Sequence, residues 1–333
     1  MQKIKVVQIG VGHDHAYAVV QTLAKRSDVF DYVGYVVVDG EESVYEQRKD
    51  LYRNVERLTL EQAFAIDGLQ GAFIETEDYN LTKYAYMAAQ HGLAIQMDKP
   101  GGQDADAFNQ LVDYCQKNNI VFHTGYMYRY NPAVQYALSQ IKQGEFGKVY
   151  YVEAQMNSLQ TKEKREWLKT YKGGMMNFLG CHLVDLLLQI QGVPKKIIPY
   201  NRSSGQNGVR VEDCAFAIFE YENGVSFIKS TAIEEGGFMR RNLIICSERS
   251  TIEIGPIEAF TNDGLMLTDM YITDEEKGKT WTYRPEKQTF GPFDRYEAMY
   301  LEFADIVLGK IQNPYSYEYE KLVHETLLRA CGL

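Results

Sequence analysis

The sequence predicts two domains. The first is an α/β domain built on a doubly wound parallel sheet. The second is an α+β domain with a large, mostly antiparallel open sheet flanked by helices. Three observations carry this expectation. Ile4–Ile9 is a short apolar run rich in β-branched residues; it ends in Gly10-Val11-Gly12, and Ala16–Ala24 follows with apolar residues at helical spacing. Short apolar runs and helical segments then alternate as far as Thr124, which is the pattern of successive βαβ units. From Asn131-Pro132 onward the pattern changes to alternating strands separated by turn sequences. The expected domains are residues 1–124 and 125–333.

Element by element, Tyr32–Val38 reads as the second strand, closed by Asp39-Gly40. Leu60–Ile66 looks helical, Gly71–Ile74 is a strand ending at Glu75-Thr76-Glu77, and Leu81–Gly92 is a helix stopped by its glycine. Leu93–Met97 is a strand that runs into Asp98-Lys99-Pro100-Gly101-Gly102. Asp104–Asn118 is a helix and Ile120–Thr124 a strand. Ligands of a parallel sheet bind at the carboxyl ends of its strands, so Gly10–His15, Asp39, Thr76 and Lys99 are expected along one edge. In the second half, Ala133–Lys142 reads as a helix, Val149–Met156 as a strand, and Gly173–Gln189 as containing a helix that carries His182 and Asp185. Cys214–Tyr221, Gly224–Ile233, Arg241–Cys246, Ser250–Ile254 and Leu265–Thr268 read as strands, and Tyr296–Leu308 and Glu318–Ala330 as closing helices.

Composition narrows the function. A formal net charge of −10 argues against a nucleic-acid partner, which needs a basic face, and against anionic membrane surfaces. No apolar run approaches the ~20 residues that span a bilayer, and the chain enters a strand at once, without a signal peptide. The five cysteines, at 115, 181, 214, 246 and 331, are scattered and include no C-x-x-C. They read as reduced thiols of a cytoplasmic protein. The 25 tyrosines suit a half-exposed sheet or a subunit interface.

The strand–glycine–helix opening is the context of a dinucleotide fingerprint. Gly10 permits the tight turn, Gly12 lets a pyrophosphate approach the backbone, and the free N–H groups at the helix start meet the phosphate charge. Val11, His13, Asp14 and His15 complete the cofactor loop. His15 stands where G-x-G-x-x-G has its third glycine. His13 and His15 form an H-x-H, but no further Cys or His follows at ligand spacing, so polar loop lining is expected and no metal. Asp39, at the end of the second strand, would accept two hydrogen bonds from a ribose and repel a 2′-phosphate. NAD is therefore expected over NADP.

Several motifs in order resemble the glucose–fructose oxidoreductase / inositol dehydrogenase / rhizopine-catabolism (Gfo/Idh/MocA) family of NAD(P)-dependent sugar oxidoreductases. They are I-G-V-G at the N-terminus, M-D-K-P at 97–100 where the family has E-K-P, and Thr76, placed 23 residues before Lys99. Y-R-Y-N-P-A at 128–133, G-E-F-G-K-V at 144–149 and G-G-M-M-N-F-L-G-C-H-L-V-D at 173–185 follow. The resemblance covers nearly the whole chain. It implies a Rossmann NAD-binding domain, an α+β substrate-binding and oligomerisation domain, and a homodimer or homotetramer. It implies that Lys99, before a Pro100 whose peptide is often cis in the family, reaches the substrate hydroxyl and nicotinamide ribose. His182 would be the general base or acid, with Asp185 one helical turn on as its support. Thr76, Glu77 and Asp98 join the cofactor edge. Arg129, Asn157, Trp167 and Asn177 are the residues expected toward a sugar substrate, with Arg129 alternatively pinning the domain junction.

The sequence departs from the family at one place of chemical weight. The family commonly has an aspartate four residues before the histidine, and Phe178 stands there. Three functions are therefore open. The first is an NAD-dependent oxidoreductase moving hydride between nicotinamide and a sugar, cyclitol or related polyol. The second is a redox-neutral, NAD-retaining glycosidase or lyase of the same fold. The third is a non-catalytic dinucleotide-binding regulatory protein.

Overall fold

The computed structural model describes residues 2–274, 277–279, 281 and 285–333. They form two compact units, Met1–Tyr126 with Tyr296–His324, and Met127–Arg295 with Glu325–Leu333. Tyr296–His324, which the sequence places in the second domain, packs in the first.

The first unit holds β1 (Ile4–Ile9), α1 (Ala16–Lys25), β2 (Phe30–Val36), α2 (Glu42–Arg48), β3 (Arg57–Leu58), α3 (Leu60–Phe64), β4 (Gly71–Ile74), α4 (Leu81–Gln90), β5 (Ala94–Met97), α5 (Ala105–Lys117) and β6 (Phe122–Thr124). The six strands lie in the order β3-β2-β1-β4-β5-β6, and every pairing is parallel. The strands are buried on both faces, so they read as continuous apolar runs. Val7, Ile9, Ile74, Ile95, Met97 and Phe122 form one core with Leu81, Phe108 and Leu111 of the covering helices. Asp104 starts α5 by accepting the N–H groups of Asp106 and Ala107. The register sets Ile9 beside Ile74, Ile74 beside Met97, and Met97 beside Thr124. Residues 10–15, 75–78 and 98–102 therefore leave the sheet at one carboxyl edge, where the strand order reverses between β1 and β4.

The second strand ends two residues earlier than expected, and α2 has no counterpart in the sequence reading. No residue of α2 is buried, so it shows no apolar periodicity to detect. Late in the chain, α9 (Glu297–Val307, numbered last but one) sends Phe303 against Phe73 of β4, with ring centroids 5.5 Å apart. That contact fixes α9 in the first unit.

In the second unit come α6 (Pro132–Lys142), β7 (Val149–Gln155), α7 (Lys162–Trp167), a π-helical turn (Met176–Gly180), α8 (Cys181–Gln191) and β8 to β15. The last of these are Lys196–Pro199, Cys214–Glu220, Val225–Thr231, Asn242–Ser247, Ser250–Ile254, Ala259–Phe260, Met266–Asp274 and Lys287–Phe293. The nine-stranded sheet runs β13-β14-β12-β11-β7-β10-β9-β8, with β15 also on β14. Among the described residues of this sheet, only β7 and β10 pair in parallel. The expected antiparallel character holds. β15 was missed because it is an outer strand with almost no buried position. The helix read across Gly173–Gln189 is π-helical before Cys181 and α-helical after it. From Tyr317 to Cys331 the chain closes with α10.

Candidate functional site

The glycine loop sits at the end of β1. Gly10 has φ +92°, and a Cβ there would lie 2.5 Å from the backbone N of Thr76. A Gly10→Ala chain is therefore expected to lose at least ~2 kcal/mol of stability, read as a lowered unfolding midpoint; an unchanged midpoint would contradict this packing. Gly12 leaves room for a carboxylate, because its absent Cβ would fall 2.4 Å from Oε1 of Glu41. The Val11 N–H donates to Glu41 Oε2 at 2.7 Å, the Glu77 N–H to Oε1 at 2.9 Å, and the Gly12 N–H also donates to this group. Arg48 of α2 donates to the carbonyls of Val11 and His13 at 3.0 and 2.8 Å, with Asp14 4.0 Å away. The His13 N–H donates to the Glu75 carbonyl.

The carboxylate held on the glycine loop is that of Glu41, which the sequence reading did not single out. Asp39 is exposed and lines a cavity of about 450 Å³ with Val36–Val38, Arg57 and Tyr84. Arg57 there forks onto Glu42 at 3.0 and 2.7 Å. The sequence signal for Glu41 was the acid directly after Asp39-Gly40, reached by a turn that carries it back over the loop.

Beside the loop lies a buried polar cluster. His13 Nδ1 is 3.0 Å from Asp98 Oδ2 and 3.8 Å from Glu75 Oε2, while His13 Nε2 is 3.7 Å from Asp78. His15 Nδ1 is 3.1 Å from Asp98 Oδ2. Burial is the largest influence on each group. It opposes charge on His13 and is overcome by Asp98 and Asp78, so His13 titrates well above its usual range. Asp98 is held well below the usual carboxylate range, because His13 and His15 outweigh its burial. Burial takes His15 down to about 4. Burial and the Asp98 charge push Glu75 up.

Lys99 follows directly and is buried, and its N–H donates to Asp98 Oδ1 at 2.6 Å. The Lys99–Pro100 peptide is cis. His324 Nε2 donates to the Gly102 carbonyl over 3.1 Å and the ring stacks on Phe108 at 4.1 Å. Thr82 donates to the Gly101 carbonyl. The segment carrying Lys99 is thus fixed by side chains from both ends. Thr76 is buried against Gly10 and donates to the Glu77 carbonyl at 3.0 Å.

In the second unit, His182 is buried on α8, and its ring stands edge-on to Tyr128 with centroids 4.8 Å apart. Tyr128 accepts from Arg295 at 3.2 Å, and Glu258 binds both Arg295 and Arg241. Asp185 turns to other partners. Arg129, fully buried, donates from Nε at 3.1 Å and from the terminal nitrogen at 2.8 Å, and Gln189 adds a bond at 2.9 Å. Arg129 and Asp185 thereby form a buried ion pair that joins α8 to the Met127–Tyr130 turn, the pinning alternative that the sequence left open for Arg129. Asn157 is also fully buried. Its amide donates to the Arg240 carbonyl and its carbonyl accepts from Arg241, which makes it a strand-end clasp.

Trp167 is half-buried and packs with Tyr171 and Phe178, at centroid distances of 4.9 and 5.5 Å, under the Lys164 ammonium. Phe178 is a member of this aromatic group. The turn that carries it is π-helical, with one residue more than an α-turn. Asn177, one position earlier, is buried, and neither amide atom has a standard hydrogen bond among the described residues, although it lies beside the Cys331 thiol.

Residues 134–253 match the GFO/IDH/MocA C-terminal domain. The match spans about a third of the chain, which resembles members of that family. Among its curated relatives is D-xylose 1-dehydrogenase (NADP(+)) 2 of Haloferax volcanii, 24% identical over 255 residues, 74% of this chain and 72% of the relative. A second is 2,7-anhydro-N-acetylneuraminate hydratase of Mediterraneibacter gnavus, 23% identical over 141 residues, 41% of this chain and only 38% of the relative. The fold is that of a proposed NADPH-dependent oxidoreductase from Desulfitobacterium hafniense, with TM-score 0.82, 16% identity and coverage of 100% and 95%. It is also that of UDP-N-acetylglucosamine 3-dehydrogenase from Acidithiobacillus ferrooxidans, with TM-score 0.77, 17% identity and coverage of 99% and 97%. No helix among the described residues is long and apolar enough to cross a membrane.

Proposed function

We propose that this chain is an NAD(P)-dependent oxidoreductase moving a hydride between nicotinamide and a secondary alcohol carbon of a sugar, cyclitol or related polyol. The observation that carries the reading is the shared strand edge, where a glycine loop with a left-handed Gly10 and a Cβ-free Gly12 stands two strands from a buried lysine. These residues fit a dinucleotide: Gly10 and Gly12 keep side chains off the approach, and Glu41 offers its carboxylate to a ribose diol. Bound nicotinamide supplies the hydride acceptor. Lys99 holds the substrate hydroxyl. His182, its ring set by Tyr128, takes or returns the hydroxyl proton. Asn177 is the polar group offered to substrate in place of the aspartate displaced by Phe178. Trp167 serves as a wall at most, since its faces are taken by Tyr171, Phe178 and Lys164.

Two carboxylates, Glu41 and Asp39, support NAD over NADP, although the Haloferax xylose dehydrogenase is described as using NADP(+) and the Desulfitobacterium oxidoreductase as NADPH-dependent. The deciding experiment titrates the purified chain with NAD and NADP and then follows nicotinamide absorbance across a sugar and polyol panel. Binding with reduction on one substrate supports the dehydrogenase. Binding without reduction on any substrate moves the reading to redox-neutral chemistry, which the hydratase relative and Phe178 favour. No binding of either dinucleotide sinks it. A homodimer or homotetramer in the cytoplasm belongs to the same proposal.

Glu41 adds a pH signature. Burial raises its carboxyl to about 7 from 4.5, against the backbone N–H groups that lower it. Between those values the folded chain keeps a proton that the unfolded chain has lost. Stability from this group is therefore full below pH ~4.5 and declines as pH rises toward 7, on the order of 3 kcal/mol in all. Glu41→Gln, which cannot titrate, is expected to flatten that slope in denaturant melts. An unchanged slope would place the proton elsewhere.

A further inference from the structure

We propose that His13, His15 and Asp98 form a binding site for one divalent first-row metal ion of the Zn²⁺ or Co²⁺ type. The sequence argued against a metal because no further Cys or His follows His15 at ligand spacing. The fold supplies the missing ligand from far along the chain. Asp98 leaves the end of β5, close to the loop that leaves the end of β1, and one ligand atom from each of the three residues lies within 4.8 Å of the others. The individual separations of 3.0 and 3.1 Å from His13 Nδ1 and His15 Nδ1 to Asp98 Oδ2 suit an ion with bonds of about 2.0–2.2 Å, whose ligands stand roughly 3–4 Å apart.

A second observation points to a ligand. Glu75 is 1% exposed; its carboxyl faces Asp98, and its Oε2 makes no standard hydrogen bond among the described residues. That oxygen stands 3.8 Å from His13 Nδ1, so it is poised as a fourth donor. A cation between it and the imidazoles would give this buried oxygen a partner. Two imidazoles with carboxylate oxygens form the donor set that borderline cations accept, whereas an all-oxygen set would select calcium or magnesium. The ion would tie the glycine loop to the residue before Lys99. His13 must give up any Nδ1 proton, and His15 must offer Nδ1 as a lone pair, so binding releases protons to solvent.

The inference does not rest on the dinucleotide reading, and its test uses no dinucleotide. The whole chain is stripped with a chelator and titrated with Co²⁺, followed by calorimetry and by visible ligand-field absorption. The expected result is one Co²⁺ per chain, displaced by Zn²⁺, with a metal-dependent rise in the unfolding midpoint. His15→Gln, at a half-buried position, and Asp98→Asn are expected to weaken binding by about 100-fold or more, and Glu75→Gln by about 10-fold. Should Asp98→Asn fail to fold, the wild-type stoichiometry and His15→Gln still decide the matter. Absence of stoichiometric binding in the wild type overturns the proposal, as does equal affinity in His15→Gln. Either result would leave the cluster as a hydrogen-bonded ion pair.

Discussion

A Lys99→Met chain is expected to lose roughly 10²–10⁴-fold in turnover while binding the dinucleotide within a few-fold of wild type. Lys99 is buried at the end of β5 and fixed by its own amide on Asp98. Methionine keeps most of the stem's volume and packing while removing the ammonium, so a purely packing role predicts little change. The split between turnover and cofactor affinity separates the two cases. Equal losses in both would mean that the ammonium serves the cofactor rather than the alcohol. Wild-type turnover would remove Lys99 from the chemistry.

The parallel sheet was legible because its strands are buried on both faces and appear as unbroken apolar runs between turn residues. The strand edge carrying Gly10, Thr76 and Lys99 followed from that topology alone. What escaped the sequence did so for physical reasons. α2 buries nothing, so no periodicity announced it, yet it brings Arg48 onto the loop carbonyls. Glu41 went unread because the direction of a returning turn is not visible in a sequence, whereas the strand-end position of Asp39 is. The cluster of His13, His15 and Asp98 is assembled across 83 residues of chain, beyond the reach of any spacing rule. At Phe178 the chain makes a π-turn, which α-helical periodicity in a sequence does not announce. Arg129 and Asp185 were read for chemistry because charged residues near a motif attract that reading, and only burial reveals their other use.

That pair yields the largest stability effect expected in the chain. Asp185→Ala should cost about 3–5 kcal/mol, because it strands a guanidinium that is fully buried without its carboxylate. Arg129→Met alone leaves the converse fault, a buried carboxylate that keeps the Gln189 donor but has lost its guanidinium. Breaking either side is harsher than removing both, so Arg129→Met with Asp185→Leu should recover much of the loss. A double-mutant cycle on denaturant midpoints measures this, and additive losses would contradict the pairing. The same cycle tests the sequence-derived role. If Arg129 gripped substrate, Arg129→Met would raise KM and the second change would not repair it. If it pins α8, KM should follow stability, and the double variant should restore both, because His182 rides on the helix that the pair holds in place.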